Sequence, residues 1–96
     1  MITIPLKSGS INSHQIFYVQ LGDNFLEFRL NYITRFPGWS LDLYKEGVLL
    51  IAGAMLVSSE DIVKNFNADI GRLLFVGEDP TIDNLGSANK LVWEDG

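Results

Sequence analysis

The sequence predicts a mainly β chain, folded as a small antiparallel β-barrel or sandwich of about seven strands with one short helix. Period-2 alternation of apolar and polar residues dominates the chain. The alternating stretches are short and are separated by turn formers: Gly, Pro, Asn and Asp. One segment alone, 58–66, carries a helix-start signature. No internal repeat, low-complexity tract or linker interrupts the 96 residues, so 1–96 is expected to be a single β-rich domain. That length lies near the lower end of what one core can hold together.

The first strand is read at Ile2, Ile4 and Leu6, which alternate with Thr3 and Pro5. A proline within the alternation points to an edge position or to a gap in the ladder. Residues 15–21 come next, with Phe17, Val19 and Leu21 on one face, and Gly22-Asp23-Asn24 supplies a turn of hairpin length. Leu26, Phe28, Leu30 and Tyr32 then share a face opposite Glu27, Arg29 and Asn31, which read as a solvated sheet surface. Arg35-Phe36-Pro37-Gly38 is a turn, because Pro-Gly suits the central positions of type II. Trp39, Leu41 and Leu43 form the next core face, and Lys45-Glu46-Gly47 closes a second hairpin. Residues 48–57 are nearly all apolar, so both faces of this strand are expected to be covered, with Gly53 marking a bulge or a close backbone approach. Ser58-Ser59-Glu60-Asp61 has the cap-then-acid pattern of a helix start, and Ile62 and Phe66 stand one turn apart. Residues 72–76 and 90–94 are the last strands; Trp93 so near the end implies that this segment docks. Closing the sheet into a barrel would cover its edges.

Composition excludes several classes of function. Seven Lys plus Arg stand against twelve Asp plus Glu, a net charge of −5. Few, scattered cations argue against phosphate-backbone binding, and no sequence-specific nucleic acid is expected. At 47% apolar the chain is too hydrophobic for disorder, and its 20% charged residues are too few for a coiled coil. The longest apolar run, 48–57, falls short of the roughly 18 residues of a membrane span. No membrane partner is expected. The opening residues lack the basic start and apolar stretch of a secretion signal. With no cysteine there is no disulfide framework, thiol nucleophile or Cys-based metal site.

Candidate chemistry is thin. His14, the one histidine, sits among Ser10, Asn12, Ser13 and Gln15 and reads as a surface loop residue. Glu78, Asp79 and Asp83 are near enough in sequence to meet a hard cation, but they lack the spacing and central Gly of a calcium loop. A solvated acidic loop is preferred, and docking to a basic partner surface is the functional alternative. Glu60-Asp61 is explained by helix capping rather than by paired catalytic carboxylates. Neither a nucleophile elbow nor a phosphate-cradling Gly-rich loop occurs, so neither enzymatic activity nor a cofactor is expected. Eleven aromatics are many for one small core. Tyr18, Phe25, Phe36 and Tyr44 fall on second faces or in turns, and with Asp79 and Asp83 they are the expected interface residues. A small β-barrel binding module, for a ligand or an unrelated protein, is one reading of this pattern.

A second reading comes from the order of segments. Ile2-Thr3-Ile4-Pro5-Leu6 opens the chain, and Gln15-Ile16-Phe17-Tyr18-Val19-Gln20-Leu21 and Phe28-Arg29-Leu30-Asn31-Tyr32 follow. Gly38-Trp39-Ser40-Leu41-Asp42-Leu43, Gly53 before Leu56-Val57, and Asp83-Asn84-Leu85-Gly86 before Lys90-Leu91-Val92-Trp93 complete the set. This order resembles the baseplate plug family of contractile-tailed bacteriophages, over nearly the whole chain. The family's acidic-then-Gly turn after the Trp strand stands here as Lys45-Glu46-Gly47. The resemblance implies a structural virion protein that closes the central channel of the tail hub above the spike until contraction. It implies hub and spike proteins as partners, the tape-measure protein as a further one, and several copies around the tail axis. It implies a place in the tail baseplate after assembly in the host cytoplasm, and no catalytic residues.

Overall fold

The computed structural model describes residues 2–35, 38–58, 60–64 and 70–95. Strands run in chain order as β1 (Ile2–Ile4), β2 (His14–Leu21), β3 (Asn24–Ile33), β4 (Gly38–Lys45), β5 (Val48–Met55), β6 (Glu60–Asp61), β7 (Arg72–Gly77) and β8 (Asn89–Glu94). They form two antiparallel sheets, ordered β2-β3-β4-β5 and β1-β8-β7-β6. β6 is only a two-residue pairing, so among the described residues seven strands carry the fold. The sheets do not close on each other. Of the two expected architectures the sandwich is the one formed, and the barrel is not.

The first sheet is a meander, each strand pairing with the next in sequence. Its two-residue turns explain the registers. Gly22 takes φ +60° at the first, and Glu46 and Gly47 take +52° and +79° at the second. Left-handed residues at both central positions give the turn the right-handed twist of its strands. The second sheet joins the two ends of the chain: Ile2 lies opposite Trp93 and Ile4 opposite Leu91. The edge position expected for the proline-flanked first strand is observed.

One core lies between the sheets. Leu26, Phe28, Leu30, Trp39, Leu41 and Leu43 of the meander face Leu73, Phe75 and Leu91 of the second sheet, all fully buried. The alternating faces read from the sequence are therefore the inner faces. Phe17 stacks on Phe28 across the first hairpin at 5.3 Å, and Tyr32 meets Trp39 edge-on at 5.4 Å. The Trp39 indole N–H donates to the Thr81 carbonyl at 3.0 Å, and that of Trp93 donates to the Ile70 carbonyl. Both tryptophans thus pin a loop of the second half while filling the core. Gln15 is buried and clamps the preceding loop. Its amide nitrogen donates to the carbonyls of Lys7 and Asn12, and its oxygen accepts the Lys7 N–H.

Two expectations are overturned. The 48–57 strand is not covered on both faces: β5 is an edge strand, and Val48, Leu49, Ala52 and Met55 are exposed, as is Val57 just beyond it. The bulge expected at Gly53 is present. The β4–β5 register shifts there, Gly53 adopts φ +70°, and its N–H donates to the Asp42 carboxylate at 2.7 Å. Nor does the helix expected at 58–66 form among the described residues, whose one helical turn is a short 3-10 segment at Ser10–Asn12. Glu60 and Asp61 pair instead with Phe75 and Leu74 of β7. The Asp61 carboxylate accepts the N–H groups of Val63 and Leu73, each at 3.2 Å. An acid bonding the backbone two residues on makes a local turn as readily as a helix cap. Asn65 and Phe66 of the expected helix, and Pro37 of the expected type II turn, lie outside the described residues.

Candidate functional site

The outward side chains of the meander place aromatic, acidic and basic groups side by side on one face. The registers make rows across it. Tyr18 lies opposite Glu27, which lies opposite Tyr44, while Ile16, Arg29 and Asp42 make the next row. Phe25 is diagonal to Tyr18, and the two rings stack at 5.8 Å, nearly parallel. Both are more than half exposed, at 58% for Tyr18 and 57% for Phe25. The Arg29 guanidinium sits 4.3 Å over the Tyr44 ring and pairs with the Glu27 carboxylate. A groove of about 340 Å³ runs from Tyr18, Phe25 and Tyr44 to the two hairpin tips, where Asp23 and Glu46 form its rim.

The fold therefore brings together three of the expected interface residues, Tyr18, Phe25 and Tyr44. Phe36 lies outside the described residues. Asp79 and Asp83 are exposed on a separate loop and do not join the groove. That loop is organised by amides rather than by its acids. Asn84 accepts the Thr81 N–H at 2.7 Å and donates to the Asp79 carbonyl at 3.0 Å. Asn89, buried, donates to the Glu78 carbonyl and accepts the Gly86 N–H. Leu85 is buried, and Gly86 takes φ +84° where any Cβ would stand 2.8 Å from the Leu6 carbonyl oxygen. The Asp-Asn-Leu-Gly segment thus fastens the loop to the core. Among the described residues no three acids or histidines converge as metal ligands. His14 opens β2 and contacts the Asn31 side-chain oxygen at the exposed surface.

Glu27 and Arg29, expected to form only a solvated face, do more than that. The Glu27 carboxylate raises the pKa of the Tyr18 phenol, first by accepting its hydrogen bond and then by opposing the phenolate charge. The same carboxylate raises Arg29. A raised tyrosine favours the folded state fully below the ordinary tyrosine value, near 10, and that contribution is lost as pH rises through the folded value. An absorbance titration should therefore show Tyr18 ionising above the ordinary tyrosine value, and Glu27→Gln should lower that step. An unchanged profile in that variant would remove Glu27 as the cause.

The whole chain, residues 1–96, matches the family model described as cyanophage baseplate Pam3 plug gp18. The chain belongs to this phage baseplate plug family. A search of curated proteins finds no match. Membership bears out the resemblance carried by the order of segments. The plug family places the chain in the tail baseplate of the virion, in a structural role and in association with other baseplate components.

Proposed function

We propose that this chain closes the central channel of the tail hub, above the spike, until contraction opens the tube. The full-length match to a baseplate plug family carries this reading. The structure supports it in kind. Apolar side chains stay exposed on β5 and on the outer face of β2 and β3, beyond what the core needs, as suits a module whose surface is completed by neighbours. The partners in this reading are the hub and spike proteins, with the tape-measure protein above. Several copies surround the tail axis, and assembly takes place in the host cytoplasm. A cryo-electron microscopy map of extended and contracted particles tests it. Density for this chain is expected on the tail axis before contraction and displaced from it afterwards. Density away from the axis in the extended particle would sink the proposal.

A further inference from the structure

The groove on the outer face of the meander combines two exposed aromatic rings, Tyr18 and Phe25, and the half-buried Tyr44 with carboxylates at its rim. The stacked Tyr18 and Phe25 rings and the Tyr44 ring form its walls. Asp23 and Glu46 stand on the two hairpin tips, and among the described residues neither forms an ion pair. Of the groove's other charges, Lys45 is held 2.8 Å from the Asn24 side-chain oxygen, and Glu27 is taken by Arg29. An apolar occupant would bury the rim carboxylates without partners, and an anion would be repelled by them. A cation satisfies both features, since aromatic faces attract positive charge and carboxylates pair with it. The protein already uses this chemistry internally, with the Arg29 guanidinium over Tyr44. A second copy of the chain is a poor occupant, because each copy carries a net charge of −5.

We propose that this groove receives a lysine or arginine side chain of a partner protein, set against the Tyr18, Phe25 and Tyr44 rings and paired with Asp23 and Glu46. In the virion that partner is a baseplate neighbour, a placement that rests on the family role; the groove chemistry does not.

The test uses a fluorescent heptapeptide of alternating glycine and arginine, titrated into the full chain at low ionic strength and read by anisotropy. Binding should be saturable and should weaken with salt. An equivalent peptide with glutamine in place of arginine should not bind. Phe25→Ala and the paired change Asp23→Asn with Glu46→Asn should each weaken binding by about threefold to tenfold. Asparagine is tolerated at the positive φ of Glu46, so the second variant removes charge and keeps the hairpin. Glu94→Gln with Asp95→Asn removes equal charge away from the groove and should leave the affinity unchanged. Equal loss in that control, unaltered binding in the groove variants, or no binding by the wild type overturns the proposal. So does a fall in apparent mass of Phe25→Ala on size exclusion, which would make a second copy the occupant. Peptide binding is independent of whether the chain sits on the tail axis, so either result can fail alone.

Discussion

Replacing Trp39 by alanine is expected to destabilise the fold by about 3–5 kcal/mol in a urea titration. Trp39 is fully buried at the head of the β4 core face, with Tyr32 packed edge-on against its ring. Removing the indole leaves a cavity between the sheets and takes the N–H donor from the Thr81 carbonyl. A domain of this size has roughly 5–15 kcal/mol in total, so the variant sits near the threshold of folding. Trp39→Phe keeps most of the packing and loses the donor. It should cost about 1–2 kcal/mol, and it separates the two contributions if the alanine variant does not fold. A loss below about 1 kcal/mol for Trp39→Ala would contradict its place in the core.

Gly77→Ala is the other large effect. Gly77 ends β7 at φ +109°, a conformation that L side chains rarely adopt. A Cβ there would stand 2.5 Å from the Ala88 carbonyl oxygen and 2.7 Å from the Asn89 Cα. Both obstacles are backbone, and the second begins β8, the strand that holds the second sheet together. Backbone strain of about 1–3 kcal/mol adds to overpacking of similar size, so a loss of about 3 kcal/mol or more is expected by thermal or urea unfolding. Gly47→Ala is the control, since it shares a positive φ but meets nothing within 4 Å. It should cost less, by the overpacking alone. Equal losses in the two variants would show that the close approach of Ala88 does not matter.

Much of the fold was legible because alternation reports which face meets the core. Leu26, Phe28 and Leu30 on β3, and Trp39, Leu41 and Leu43 on β4, declare their faces by period. The turn read from the sequence spans Gly22-Asp23-Asn24, whereas Asn24 already belongs to β3; it is the two-residue turn Gly22-Asp23 that places Tyr18 across from Glu27. Apolarity by itself misled at β5. A run of apolar residues reads alike whether its second face is covered within the chain or left for a neighbour. The helix signature at 58–61 misled for a related reason: a side chain that caps the backbone locally serves turns as well as helices, and the pairing of Glu60 and Asp61 with β7 decides between them. The pairing of β1 with β8 has no local sign at all, since its residues are joined only through the core. At the candidate site, the aromatic walls were legible from the phase of the strands. Asp23 and Glu46 were not, because turn positions already account for acids and conceal a second use. Asn84 and Asn89 were hidden among loop formers, and their role appears only in the bonds they make.

The union of the two ends of the sequence in one sheet also sets an order in time. The meander can be assembled from contacts close in sequence, each hairpin closing on the one before. Residues 2–4 have no strand to join until residues 89–94 have been made and brought back to them. Their ladder closes the largest loop in the molecule, and it is expected to be among the last parts to form. Until then the inner face of the meander, with Phe28 and Trp39, is open to water. The β1–β8 ladder is therefore the step of the fold that waits on the whole chain, whereas the meander needs only its first half.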